Sequence, residues 1–338
     1  MLKNRHFRTL CCILICILVL PGCGQPKQAV HKREFFAMDT YISCQVISAD
    51  EAMAEAALDR VEATFIEIDR LTNRFQAESD IAAVNRNAGT APVVVKDDVY
   101  RIVATALNWS EQTGGAFNIL IGAAMDLWGF GSKQPRVPET GELAAILPLT
   151  DYHQVQMDDA KSTVFLPRQG MVIDLGGIAK GYATDKAVSV LRELGIRDAL
   201  INAGGNVYAL GNRADGTAWK VGIQDPRNPQ GIKAVLQAGD AALVSSGDYQ
   251  RYFEVAGIRY HHILDPATGS PARASAGTTI IMDSATVADV LSTALFVMGP
   301  ARGIAFAEQL PQVKAALILT EDGGMFGTSN FGSYLADQ

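Results

Sequence analysis

The segment Asp174-Leu-Gly-Gly-Ile-Ala-Lys-Gly-Tyr-Ala183 joins an apolar run to a helical pattern through two adjacent glycines. Glycines at such a junction let a ligand approach the backbone, and the N-terminus of the following helix favours an anion. Asp174 ends the apolar run and Lys180 falls about one turn into the helix, where an ammonium can meet a phosphate. The same residues also suit a tight strand-to-helix turn with a solvated lysine. A second segment, Ala288-Asp-Val-Leu-Ser-Thr-Ala294, puts Asp289 and Thr293 four residues apart on one helical face. Leu291, Leu295 and Phe296 make that helix apolar, and a carboxylate buried there needs a partner. A hard cation such as Mg2+ is one such partner, taking carboxylate, hydroxyl and backbone carbonyl oxygens. Helix capping or an ion pair is the other explanation for Asp289.

A third segment, Tyr260-His-His-Ile-Leu-Asp-Pro-Ala-Thr-Gly269, reads as a strand entering an Asp-Pro turn. Adjacent histidines on a strand face opposite sides, so the pair is not a two-histidine metal motif. One of them can serve as a general base near neutrality, and a hydrogen-bonded surface pair is the alternative. The fourth segment runs from Gly115-Ala-Phe-Asn118 to Leu127-Trp-Gly-Phe130. Its aromatics can stack on a planar ring, although composition alone favours core aromatics beside a loop. Taken together, a glycine turn for phosphates, oxygen ligands for Mg2+, a base and ring-binding aromatics describe a site for a nucleotide cofactor.

The elements that must position these groups follow from periodicity. The alternation over 35–47 predicts β structure, and Ser48 with Glu51 reads as a capping box. A long helix then runs to about Asn73, with Met53, Ala57, Val61, Phe65, Ile68 and Leu71 at helical spacing. Further helices are expected from Lys96 to Thr113, from Ile178 to Leu194, and over 286–298 and 300–310 on either side of Gly299-Pro300. Strands are expected over 171–175, 199–203 and 206–210, at several places between 218 and 282, and in a closing hairpin over 314–327. Strands and helices mix without strict alternation, which implies an α+β fold of mixed β-sheets with packed helices. No linker divides residues 34–338, so one two-lobed domain is expected there.

The chain has 338 residues, 48% hydrophobic and 19% charged, enough to bury a large core and too apolar for a disordered chain. Lys and Arg number 29 against 36 Asp and Glu, a net charge of −7 that argues against non-specific nucleic-acid binding. Five cysteines in this length cannot form a disulfide framework. Residues 1–22 carry Lys3, Arg5 and Arg8 ahead of an apolar run, and Leu20-Pro21-Gly22-Cys23 follows. That pattern reads as a lipoprotein signal peptide with lipidation at Cys23, then a short polar tether over 23–33. Lipidation would hold the domain on a membrane, and Cys44 would be the lone free thiol, buried and inert.

In order and content the motifs resemble the bacterial ApbE family, the FAD:protein FMN transferases. The resemblance covers nearly all of residues 35–333. It includes Met38-Asp-Thr40 where the family has Met-Gly-Thr, Ser79-Asp-Ile81 through Asn85, Gly115-Ala-Phe117 and Leu127-Trp-Gly-Phe130. It continues through the 174–183 glycine turn, Asn202-Ala-Gly-Gly205, Val221-Gly-Ile223, Ser245-Ser-Gly-Asp-Tyr249, the 261–269 segment and the 288–294 helix.

The resemblance implies that FAD binds with Mg2+ and that a Thr or Ser hydroxyl of a target flavoprotein attacks the FMN phosphorus, releasing AMP. It implies flavin-lining roles for Met38 and Phe75, and FAD contacts for Ala116, Phe117, Asn118, Asp174, Lys180 and the backbone of Ile263. Asn118 stands where the family has Asp, and an amide keeps an acceptor but loses the charge. His262 matches the histidine of a His-x-x-Asp-Pro motif, which makes it the expected general base rather than His261. The metal would be held by the Gly177 carbonyl, the Asp289 and Thr293 side chains, and a backbone oxygen of Ser292. Expected targets are respiratory complex subunits or small FMN-binding domains, on the periplasmic side of a membrane, with the inner membrane favoured by the resemblance. The same site also suits an FAD pyrophosphatase with water as acceptor, and Asn118 leaves room for a non-enzymatic, lipid-anchored FAD-binding protein.

Overall fold

The computed structural model describes residues 28–336. The expected signal peptide and Cys23 lie outside the described residues. Eight strands build the main sheet: β1 (Ala29–Ala37), β2 (Thr40–Ser48), β3 (Asp198–Ala203), β4 (Asn206–Leu210), β5 (Ala241–Gly247), β6 (Gly277–Met282), β7 (Val313–Leu319) and β8 (Met325–Gly327). They lie side by side in chain order, and each neighbouring pair is antiparallel. Among the described residues seven α-helices accompany the sheet: α1 (Glu51–Thr72), α2 (Asp80–Arg86), α3 (Asp97–Gln112), α4 (Gly122–Trp128), α5 (Thr140–Ile146), α6 (Ala179–Glu193) and α7 (Ala285–Glu308). The α+β class is as expected, with the large sheet antiparallel throughout.

Several local expectations change. The β region is a hairpin whose turn residues Met38 and Asp39 have φ of 53° and 56°, a left-handed pair that matches the twist of the flanking strands. Strand β1 starts at Ala29 and pairs with β2 from there, so residues 29–33, expected in a tether, belong to the sheet. Helix α1 is capped by Asp50, whose side chain accepts from Met53 N at 3.0 Å. Ser48 is spent on Asp50 N at 3.0 Å, so no Ser48–Glu51 capping box forms. Met53 is 37% exposed and drops out of the apolar stripe, which Ala57, Val61, Phe65, Ile68 and Leu71 supply. Residues 171–175 join no strand. Instead the Asn85 amide closes both backbone groups of Ile173, at 2.8 and 2.9 Å, and Asp174 N donates to Ile119 O at 2.8 Å. A buried extended segment needs such partners when no strand lies beside it. The two C-terminal helices are one element kinked at Gly299, where φ is 75° ahead of Pro300.

Period-two alternation divides the core. Tyr208 and Leu210 of β4 face α1, α6 and α7, while Val207 and Ala209 face the hairpin Trp219–Asp225 / Asn228–Ala238 on the other side. Both faces are covered, which is why these strands read as continuous apolar runs. Cys44 is fully buried and its thiol is pushed up to about 12 by burial. A separate aromatic cluster joins Trp128, Phe130, Phe253 and Tyr260, with Trp128 Nε1 donating to Gly269 O at 2.7 Å.

Helices α6 and α7 meet at their N-terminal ends. A Cβ on Gly181 would lie 2.2 Å from the Ala285 carbonyl oxygen, so only glycine permits this crossing. Asp185 then caps α7, accepting from Ala285 N (2.7 Å), Thr286 N (2.9 Å) and the Ser284 and Thr286 hydroxyls. Asp185→Ala orphans these donors and should cost about 1–2 kcal/mol, the upper range for a lost helix cap. A urea titration checks this, and an unchanged midpoint would mean the cap carries no weight.

Candidate functional site

A cavity of about 810 Å3 gathers residues from the main sheet, the glycine turn and α7. Its walls bring together Phe75, Ala116, Phe117, Asn118, Asp174, Gly177, Lys180, His262, Ile263, Asp289 and Thr293, all singled out in the sequence. Met38 and Ser292 do not line it. Met38 packs on the main core while its turn neighbours Asp39 and Thr40 face the cavity.

Asp289 is 4% exposed on α7, and its Oδ2 accepts from Gly181 N at 3.0 Å. None of the ion pairs among the described residues includes it. Burial pushes its carboxyl up from the ordinary carboxylate range, with Lys180 and the Gly181 N–H pulling the other way. A buried carboxylate in this state suits a cation. Thr293 lies beside it, and a Cβ on Gly177 would sit 3.1 Å from the Phe117 ring and 3.4 Å from Thr293 Oγ1. The space that a side chain would fill at Gly177 is therefore left to a ligand. Asp289, Thr293 and the Gly177 backbone thus form a donor set of hard oxygens that fits Mg2+.

Ser292 has another task. Its hydroxyl bonds Asp289 O at 2.8 Å and Ser246 Oγ at 2.7 Å, and its carbonyl accepts from Thr278 Oγ1 at 2.7 Å. Ser292, expected as a backbone metal ligand, lies outside the cavity lining, and its oxygens tie α7 to the sheet and so fix where Asp289 stands.

On the glycine turn, Asp174 is engaged on both oxygens. Oδ1 accepts from Gly176 N and Oδ2 from Arg74 Nε, each at 2.8 Å. Arg74 also donates to Asp126 at 2.8 Å and stacks its guanidinium 4.2 Å over the Phe75 ring. Sequence reasoning missed Arg74, since no motif marks it; the nearest signal is its place beside Phe75. Lys180 donates from Nζ to Gly176 O at 2.9 Å and lines the cavity.

The two histidines face different surroundings, with His261 ending the strand Ile258–His261 and His262 in the bend after it. His261 is 2% exposed, hydrogen-bonds Ala272 O through Nε2 at 2.8 Å, and burial lowers its pKa to about 4. His262 lines the cavity, and its Nδ1 donates to Arg251 O at 3.2 Å. That bond selects the tautomer with a bare Nε2, the form a general base needs. Desolvation and the neighbouring Arg251 charge lower its pKa to about 3, so it is neutral at physiological pH. The Arg251 side chain reaches across to the hairpin turn, contacting Asp39 O at 3.0 Å and its carboxylate at 2.8 Å.

Asn118 is buried and caps the short helix Ile119–Ile121, with Oδ1 accepting from Leu120 N at 2.8 Å. Its Nδ2 donates to Thr150 O at 2.7 Å. A carboxylate would meet that carbonyl without a proton, so the amide fits local structure whatever it does for a ligand.

Fold and cavity together define an α+β enzyme-like domain with a buried carboxylate, a lysine and a neutral histidine around one cleft. The ApbE family model matches residues 38–318, and the chain belongs to the ApbE family. It is 36% identical to an FAD:protein FMN transferase from Treponema pallidum, over 91% of this chain and 90% of that one. It is 29% identical to one from Vibrio cholerae, over 96% and 98%. Among solved structures it resembles an ApbE protein from Thermotoga maritima (TM-score 0.85, 32% identity, 91% of this chain and 100% of that one). It also resembles the flavin transferase ApbE from Vibrio cholerae (TM-score 0.79, 27% identity, 91% and 100%).

Two outcomes follow from the site's electrostatics. The folded pKa values of about 4 and 3 for His261 and His262 lie below the ordinary 6.5, so between those limits the unfolded chain binds more protons. Stability should be complete above about pH 6.5 and fall as the pH drops toward 4. Urea titrations across this range should show a shallower slope for His262→Asn than for the wild type; equal slopes would mean His262 is not held neutral. Asn118→Asp should lower unfolding free energy by about 1–3 kcal/mol at pH 7, the cost of a buried carbonyl left unpaired. A variant as stable as the wild type would show that the Thr150 contact contributes nothing.

Proposed function

We propose that this chain is a Mg2+-dependent enzyme that transfers FMN from FAD to a Thr or Ser hydroxyl of a target flavoprotein, releasing AMP. The coarser assignment, FAD:protein FMN transferase, is supported by family membership and by the names its relatives carry. The observation that carries the finer reading is that one cleft unites a buried, unpaired Asp289 with Thr293, Lys180 and a neutral His262.

Asp289, Thr293 and the Gly177 carbonyl would hold Mg2+, which when bound neutralises the pyrophosphate charge. Lys180 adds a positive charge on the same wall. Phe75 and Phe117, with Ala116 and the Ile263 backbone, offer apolar contact to the flavin and leave its ring little water. Asp174, braced by Arg74, holds the glycine turn open. The acceptor hydroxyl oxygen bonds to the FMN phosphorus as the phosphorus–oxygen bond to AMP breaks. The hydroxyl proton passes to His262 Nε2, whose ring is aimed by the Arg251 carbonyl. AMP leaves, and FMN remains joined to the target by a phosphoester link. Positioning and charge supply most of the acceleration in such a transfer.

Lipidation at Cys23 would present this cleft on the periplasmic side of a membrane, near respiratory complex subunits or FMN-binding domains. Incubation with FAD, Mg2+ and an FMN-binding acceptor domain, read by intact mass, tests the reading. The acceptor should gain the mass of FMN, and chelation should abolish the gain. AMP and free FMN with no adduct would indicate a pyrophosphatase instead, and bound FAD without AMP a binding protein. Asp289→Ala should abolish transfer. His262→Ala should slow it by about 10²–10⁴-fold, the usual worth of a general base, while FAD binding persists. Loss of FAD binding in that variant would make His262 a ligand contact rather than a base.

A further inference from the structure

Asn206 opens β4 directly after the Gly204-Gly205 turn and is 1% exposed. Strand alternation places its side chain with Tyr208 and Leu210 on the helical face of the sheet, where α7 lies. It lines the cavity. Neither its Oδ1 nor its Nδ2 has a hydrogen-bond partner among the described residues. An amide buried in this way is costly, and native structures rarely leave one unanswered. Its amide adjoins the Asp289 carboxylate, and both line the same cavity. Two buried polar groups therefore border one space, and each has lone pairs unspent.

Among the described residues no group of three His, Cys, Asp or Glu side chains gathers to hold a metal. A cation beside Asp289 must therefore draw on neutral oxygens, and an amide carbonyl is a hard donor of the kind Mg2+ accepts. We propose that Asn206 contributes its side-chain oxygen to the cation site of Asp289 and Thr293. This inference rests on the reading that the cavity binds Mg2+. The sequence offers one signal for it: a polar residue begins the otherwise apolar run Asn206-Val-Tyr-Ala-Leu210.

The test is Mn2+ binding to the metal-free, full-length protein without FAD, followed by the electron paramagnetic resonance of free Mn2+, with thermal melts in parallel. Asn206→Ala should weaken Mn2+ at least tenfold, in line with losses seen for groups around a metal. Its metal-free melting temperature should equal or exceed that of the wild type, because an unanswered buried amide has been removed. Asn206→Asp should bind Mn2+ at least as tightly as the wild type, since a carboxylate replaces the amide oxygen. Wild-type affinity in Asn206→Ala, with binding lost in Asp289→Ala, would overturn the Asn206 assignment alone. Wild-type affinity in Asp289→Ala would overturn the cation site itself. Weaker binding in both Asn206→Ala and Asn206→Asp would mean that the amide merely donates to Asp289, and would also overturn the assignment.

Discussion

The burial of the Asp289 carboxylate is the constraint on which the rest of the site depends. A carboxylate this far from water, with no ion pair, must be answered by fixed donors or by a cation. The nearest fixed donor is the Gly181 N–H at 3.0 Å. That contact exists only because α6 and α7 cross closely enough for a Cβ at 181 to collide with Ala285. The crossing in turn depends on Asp185, which satisfies the first free N–H groups of α7. The glycine segment 174–183 thus serves the cavity with its turn and the core with its helix. Its glycines do different work: 177 leaves room for a ligand and 181 for a neighbouring helix.

From that corner the cleft is fixed by contacts reaching far along the chain. Ser246 and Thr278, on adjacent strands, pin the Ser292 turn of α7 to the sheet. Arg74, from the loop after α1, closes on Asp174 and supports the face of Phe75. The Arg251 backbone sets the His262 tautomer while its side chain holds the Met38-Asp39 turn. Asp39 keeps a left-handed backbone in which glycine is the easier occupant, and an ion pair across the cavity mouth accompanies that conformation. Rigid supports of this kind suit a transfer in which little covalent chemistry falls to the protein and position matters most.

Much of the fold is legible in local pattern. The stripe of α1, the Gly299-Pro300 break and the strands flanking Gly204-Gly205 follow from spacing and from the backbone limits of glycine and proline. The misread elements are those decided by a distant partner. Residues 171–175 look like a strand because they are apolar and buried, yet an Asn85 side chain stands where a strand would. Ser48 and Glu51 have the spacing of a capping box, but Asp50 lies immediately before the helix and caps it.

The sequence by itself determined the kinds of chemistry present: a hard-oxygen helix face, a lysine at a glycine turn, and a histidine pair that cannot both face one site. These follow from residue type and from periodicities of a few residues. Only the tertiary structure decided which oxygens face the cavity. It turned Ser292 into a tie between helix and sheet, gave Asn118 a carbonyl that an amide satisfies, and left Asn206 buried without a partner. The physical reason is that a polar group's role is set by what answers its lone pairs and protons. For these residues the answering groups lie on strands, helices and loops brought together by folding, beyond the reach of any local pattern.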